Sequence, residues 1–273
     1  MNTKIERGCE MKYENILVPV DGSTRSENTV DLAIFSANDF GSELTFVYVL
    51  DVSQANRFGD VSGTTTLAKM DVEGTIALDV ATSKAKKAGI KFKTQSLNGI
   101  PGEVICDLSK DYDMIIIGST GKTGMGKGRI GGTAAYIIEN SNCPVLCVKS
   151  VSTKLEKILL PVVDTHLPAI DDAIETAKRA NASVTIYSVG KIGNDLAKKI
   201  EDVADRFKQV GLDVETVNED GDPAERIIAK SDDYDLIIMG VGKRSGLKKI
   251  LRGNTVERVV ANASCPVTTI RDE

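Results

Sequence analysis

The densest grouping of residues able to hold an anion runs from Gly118 to Thr133. It reads Gly118, Ser119, Thr120, Gly121, then nine residues, KTGMGKGRI, then Gly131, Gly132, Thr133 and the helical pattern AAYIIEN. Glycines let the main chain approach a ligand closely. Free N–H groups and the dipole at a helix start favour a phosphate at Gly131 to Thr133. Lys122, Lys127 and Arg129 add positive charge to the same loop. Glycines that serve turn geometry alone would leave a similar string. Gly121 to Lys127 also fits GxxxxGK, the opening of a P-loop, but Gly128 stands where that motif needs Ser or Thr for magnesium. A P-loop ATPase is therefore rejected.

Asp21 is the second candidate, one residue beyond the apolar run that ends in Val20. Close to phosphates its carboxylate would be repelled, so it suits ribose hydroxyls, adenine or a bridging metal, with a helix cap or Asx turn as the alternative. Micromolar affinity needs about 8.2 kcal/mol, and phosphate contacts at roughly 1.5–3 kcal/mol each are eroded by ordering costs. A flat base buried against Pro19, Val20 and Val49 would supply the remainder. The one histidine, His166, lies in a polar turn, DTHLP, and reads as a solvated loop residue. Cys9, Cys106, Cys143, Cys147 and Cys265 form an odd set without CxxC pairs, which argues for reduced structural thiols rather than disulfides or a zinc ribbon.

The elements that must position these groups come in two copies. DYDMIIIG (111 to 118) returns as DYDLIIMG (233 to 240), and NCPV (142 to 145) as SCPV (264 to 267), both at an offset of 122. NILVPV (15 to 20) pairs with KILLPV (157 to 162) at 142, falling to 140 by Val49 and Val189. About 18 extra residues therefore lie in the first copy between Leu50 and Gly74, a stretch rich in Gly, Ser, Thr and Asp that reads as an insertion or lid loop. With 273 residues, two units are expected, 11 to 150 and 154 to 271; MKYENILVPVDGS would itself make a compact start at Met11.

Each copy alternates β runs with helical periodicity, the pattern of a parallel sheet covered on both faces. Strands are predicted near 15 to 20, 44 to 50, 91 to 97, 113 to 118 and 144 to 149, then 157 to 162, 183 to 189, 213 to 218, 235 to 240 and 266 to 270. Leu196, Ile200, Val203, Phe207 and Val210 form one helical stripe, and Gly74, Leu78, Ala81, Ala85 and Ala88 its smaller counterpart. Gly89 and Gly211 sit at left-handed helix ends, and Ser23 is an N-cap for a helix carrying Val30, Ala33, Ile34 and Ala37. Covering both faces requires the strand order to reverse, and ligands sit at the reversal. With strand four beside strand one, that crevice lies between VDGS and GSTG.

A net charge of -5 provides no global field for nucleic acid or anionic lipid. No apolar run approaches the ~20 residues needed to cross a bilayer, and MNTKIERGCEMK has no apolar signal core, so a cytoplasmic protein is expected.

ILVPVDGS, the GxxG after strand four, the nine-residue spacing to the next Gly and the closing NCPVLCVK closely resemble the universal stress protein family, in particular its tandem members. The resemblance covers nearly everything from Met11 to Arg271. It implies two tandem doubly wound five-stranded α/β domains, Rossmann-like and adenine nucleotide alpha hydrolase-like. In the nucleotide-binding members, ATP or AMP is held by GxxG, nine residues, then Gly followed by Ser or Thr. Carried over, Gly118, Gly121, Gly131 and Gly132 hold phosphates, with Ser119 and Lys122 in the same loop. Pro19, Val20 and Asp21 then line the nucleoside side, and the backbone at Val49 reads adenine. Gly132 stands where Ser or Thr is expected, with Thr133 one residue, about 100° of helix, further on. Mg would be held through the phosphates.

The second copy departs further. Val163 falls at the aspartate position, with Asp164 one place late, Lys243 replaces the second glycine and Asn254 the Ser or Thr, while Gly240 and Gly253 persist. A degenerate site kept for pairing is expected, its KRSGLKKILR loop reading as a solvated basic face. Fifth strands leave unpaired edge groups, and in the resembling family they pair with a counterpart. Val145 to Val148 is therefore predicted beside Val267 to Ile270, making an intramolecular pseudo-dimer. A homodimer of whole chains is a further expectation.

The leading functional expectation is a nucleotide-binding stress-response or signalling module that acts on a protein partner not identified by the sequence. The alternatives are slow ATP hydrolysis or phosphotransfer, opposed by the lack of a histidine or an evident carboxylate pair in the first crevice, and a structural pseudo-dimer that binds no nucleotide.

Overall fold

The computed structural model describes residues 13–55, 64–121, 128–149, 154–162, 167–241 and 249–271. The first copy runs β1 (Asn15–Pro19), α1 (Thr24–Phe40), β2 (Glu43–Asp51), α2 (Val52–Ala55), α3 (Thr64–Ala88), β3 (Phe92–Gly99), α4 (Pro101–Leu108), β4 (Met114–Gly118), α5 (Gly132–Asn140) and β5 (Val145–Val148). The second runs β6 (Lys157–Pro161), α6 (Leu167–Ala180), β7 (Ser183–Val189), α7 (Asn194–Gln209), β8 (Val214–Glu219), α8 (Pro223–Lys230), β9 (Leu236–Val241), α9 (Lys249–Asn262) and β10 (Val267–Arg271). Every predicted strand is present within a residue or two. Long Val, Ile and Leu runs buried on both faces leave little doubt about period.

All ten strands form one sheet, ordered β3-β2-β1-β4-β5-β10-β9-β6-β7-β8. Each half is parallel and reverses direction at its first strand, so β1 lies between β2 and β4 as expected. The halves meet where β10 runs antiparallel to β5, with Val267 opposite Cys147 and Thr269 opposite Val145. The predicted internal pseudo-dimer is thus present, and neither fifth strand is left as a bare edge. Helix ends reinforce the seam. Lys149 Nζ donates to Ala261 O in the last turn of α9, and Arg271 Nη1 donates to Ser141 O just beyond α5 at 3.2 Å. Each half thereby places a cation at the negative helix end of the other.

Helices α1, α3, α6 and α7 bury their apolar stripes against one face of the sheet, and α4, α5, α8 and α9 against the other. Two stripe assignments need correction. Val210 is 44% exposed because α7 has already ended, and Ala88 is exposed at the last residue of α3. Ala77 takes a place in the α3 stripe, with Ala81 and Ala85 fully buried. Gly89 and Gly211 have φ of 71° and 79°, and Ser23 caps α1 by accepting from Ser26 N, both as expected.

The expected lid loop is also corrected where it is described. Residues 52–55 form α2, and 64–74 are the opening turns of α3. Leu67 and Met70 extend the helical stripe upstream of Gly74 and pack against the core, which outweighs the turn-like composition. The remainder of that stretch lies outside the described residues.

Candidate functional site

The reversal at β1 splays the carboxyl ends of β1 and β4 and opens a cleft of about 280 Å³, near the lower end of small-molecule sites at roughly 300–1,000 Å³. Pro19, Val20 and Asp21 line it from the end of β1, and Val47 and Val49 from β2. Gly118, Thr120 and Gly121 enter from β4, and Gly131, Gly132 and Thr133 from the start of α5. Nine of the eleven sequence-predicted site residues therefore converge. Ser119 is not in the wall. It is 6% exposed beneath it, with its N–H on Val148 O and its carbonyl accepting from Gly131 N at 2.9 Å. Lys122, like Lys127, lies outside the described residues, as does His166.

The amide end is built by the loop closing on itself. The Gly131–Ser119 bond brings the two glycine clusters together, and Gly131 caps α5 with no side-chain hydrogen bond. The first-turn N–H groups of α5 thus face the cleft mouth without a side-chain acceptor of the cap type. A methyl on Gly131 would come within 3.4 Å of Thr120 Cα, whereas one on Gly132 would meet nothing within 4 Å.

The acidic end begins with Asp21. Its Oδ1 accepts from Ser23 N at 2.9 Å and Ser23 Oγ at 2.7 Å, the Asx turn that was the alternative reading. Its Oδ2 points the other way, 2.7 Å from where a methyl on Gly121 would sit, so any side chain there would push the carboxylate aside. Both roles coexist because the carboxylate has two oxygens. Val20 N donates to Val47 O at 2.9 Å, after which β1 leaves the sheet. By the alternation of a parallel ladder, the next main-chain groups on that side belong to Val49.

Sequence reasoning missed the third wall. Asp51 at the end of β2 and Glu73 on α3 also line the cleft, which contradicts the expectation that no carboxylate pair lies in this crevice. Glu73 arrives on a helix, and Asp51 at the end of a strand other than the two that bound the reversal. The available signal was Gly74, an isolated glycine in a helical pattern. A methyl there would stand 2.4 Å from the Tyr48 ring, so only glycine lets α3 lie across β2. Tyr48 OH donates to Met70 O at 2.9 Å and ties the helix down. Burial pushes the Tyr48 phenol above its ordinary value, and Glu73, Asp21 and Asp71 push it further. Among the described residues no group of three or more His, Cys, Asp or Glu could hold a metal ion, so these carboxylates do not make a cage.

At the corresponding register of the second half stands a buried tyrosine. Tyr187 pairs with Pro161 as Val47 pairs with Pro19, and its ring is 1% exposed. Its hydroxyl donates to Glu219 Oε2 at 3.0 Å, and burial, with that bond, raises its pKa to about 12. The signal was the offset of 140, which aligns Val47 with Tyr187 and Tyr48 with Ser188, moving the aromatic ring to the opposite face of the sheet. Val163, Asp164 and Lys243 lie outside the described residues, and of Asn254 only its place in α9 is described. A separate cavity of about 80 Å³ at the seam, lined mainly by apolar side chains such as Phe35, Phe40 and Leu155, is remote from the glycine loop.

A duplicated 3-2-1-4-5 sheet with a glycine-lined cleft at the reversal of its first unit defines a tandem α/β protein with a candidate ligand site. The universal stress protein family model matches residues 12–149 and 191–271, and the chain belongs to that family. The unmatched stretch between them holds β6, α6 and β7. A universal stress protein of Methanocaldococcus jannaschii is 34% identical over 152 residues, 55% of this chain and 89% of that protein. One from Synechocystis is 25% identical over 94% of this chain and the whole of its own length. The crystal structure of a universal stress protein from Archaeoglobus fulgidus superposes with a TM-score of 0.80 at 20% identity, covering 96% of this chain and 98% of that one. Among the described residues, no helix is long and apolar enough to cross a membrane.

Proposed function

We propose that the first unit, residues 11 to 150, binds an adenine nucleotide, ATP or AMP, in the cleft between β1 and β4, and that the protein works as a nucleotide-dependent stress-response or signalling module. The observation that carries this reading is the polarity of the cleft. Main-chain donors of the Gly118 to Gly121 turn and the α5 start line one wall, Asp21 lies beside Gly121 at the end of β1, and Asp51 and Glu73 line the cleft from β2 and α3. A nucleotide has the complementary pattern, with phosphate acceptors on one side and ribose hydroxyls and an exocyclic amine on the other. The α5 amides and Gly121 hold phosphate, assisted by the helix dipole. Asp21 accepts from ribose, and Pro19, Val20 and Val47 pack against the base while the Val49 main chain reads its edge. Mg, where present, reaches the site through the phosphates. The second unit, residues 154 to 271, supplies the paired edge and carries a degenerate site.

The test is to denature purified protein and identify any nucleotide released, then to titrate ATP and AMP into stripped protein by calorimetry, with Asp21→Ala alongside. The reading expects saturable heat with at least one nucleotide and its marked weakening in Asp21→Ala. Absence of both release and heat would leave the pseudo-dimer as a structural element only.

A further inference from the structure

The cleft has a charge deficit. Among the described residues that line it are Asp21, Asp51 and Glu73, and none is Lys or Arg. A helix start supplies the equivalent of about half a positive charge, enough to favour one phosphate but not a triphosphate tail. Further neutralisation must come from the rim.

Arg25 is a cation poised to supply it. It stands exposed in the first turn of α1, and its Nη1 donates to Thr120 Oγ1, an atom of a cleft-lining residue. Its backbone is fixed against the same loop. Arg25 O accepts from Thr29 Oγ1 at 3.0 Å and lies 3.9 Å from where a methyl on Gly118 would sit. A guanidinium has five donors in a planar fork suited to two acceptor oxygens, and a single hydroxyl cannot use them. Nearby, half-buried Lys149 has its pKa lowered first by burial and then by the charge of Arg25, so two cations repel one another beside this loop. An anion arriving at Thr120 relieves that repulsion.

Resting on the nucleotide reading above, we infer that Arg25 is a specificity-determining residue that exchanges Thr120 for the outer phosphates of a nucleoside triphosphate and so favours ATP over AMP. The α5 amides serve the phosphate that both nucleotides share, and Arg25 serves only those that AMP lacks.

The test is the ratio of dissociation constants for AMP and ATP, measured by calorimetry on the full chain for wild type, Arg25→Gln, Arg25→Lys and Lys86→Gln, with circular dichroism to verify folding. Arg25→Gln is expected to weaken ATP about tenfold, equivalent to about 1.4 kcal/mol, while changing AMP less than about twofold. Arg25→Lys recovers part of the discrimination. Lys86→Gln, which removes one positive charge from the exposed last turn of α3, outside the cleft lining, leaves the ratio unchanged. Equal weakening of ATP and AMP in Arg25→Gln, no weakening of either, or the same change of ratio in Lys86→Gln would overturn the inference while leaving the nucleotide site intact. Wild type that binds neither nucleotide would remove both.

Discussion

Gly121→Ala is the most informative single change, because its effect should travel entirely through Asp21. The added methyl would lie 2.7 Å from Asp21 Oδ2, inside the roughly 3.3–3.6 Å of even a weak C–H···O contact, so the carboxylate must retreat by roughly 0.6 Å or more. Asp21 cannot rotate freely away, since Ser23 holds its Oδ1 through bonds of 2.9 and 2.7 Å. Retreat therefore displaces the group proposed to accept from ribose. One charge-assisted hydrogen bond is worth about 1.5–3 kcal/mol, so ATP affinity should fall roughly 10- to 100-fold. A double-mutant cycle with Asp21→Ala, read by calorimetry with unfolding midpoints measured in parallel, isolates the cause. Gly121→Ala and Asp21→Ala should each weaken binding by a similar factor, and the double variant should be no worse than Asp21→Ala. Additive losses would show that Gly121 acts on the ligand independently and that the Asp21 contact is incidental.

Gly132→Ser places a hydroxyl at the first residue of α5, where a Cβ meets nothing within 4 Å, so it should tighten ATP binding several-fold without lowering the unfolding midpoint; unchanged or weaker affinity would contradict this. The thiols give a pH prediction. Burial raises Cys106 to about 11 and Cys143, Cys147 and Cys265 to about 12, so above pH 9 the unfolded chain loses thiol protons that the folded chain retains. Stability should therefore be level below the ordinary thiol value of 9.0 and fall as pH rises from there towards 12, and these four should resist alkylation at pH 8 until denaturant is added. Urea midpoints at pH 7.5 and 10 check the sign, and an equal or higher midpoint at pH 10 would contradict it.

The architecture was legible because its signals are redundant. Apolar strand runs, an offset held at 122 through the last strands and glycines at helix ends all point to the same fold, and the β5–β10 pairing followed from the need to cover an edge. The glycine-lined side of the cleft was equally readable, since the glycines fall at the end of β4 and the start of α5, next to the strand reversal. The acidic wall was not, because Glu73 reaches the cleft only where α3 crosses β2, with Gly74 against the Tyr48 ring, and Asp51 stands at the end of a strand outside the β1–β4 reversal. Composition between Leu50 and Gly74 suggested a loop where Leu67 and Met70 build helix. Tyr187 escaped notice for a related reason: one residue of displacement from Tyr48 is trivial in sequence but changes which face of a strand is filled.

Amide chemical shifts report most directly on whether main-chain donors beyond β4 receive a polyanion. In ¹⁵N-labelled, nucleotide-stripped protein titrated with ATP, the largest saturable shifts should fall on Gly121 and on Gly131 to Ala134, with the equivalent amides around α9 unmoved. Shifts scattered over the surface, or strongest in the second unit while Gly131 to Ala134 stay still, would contradict the account.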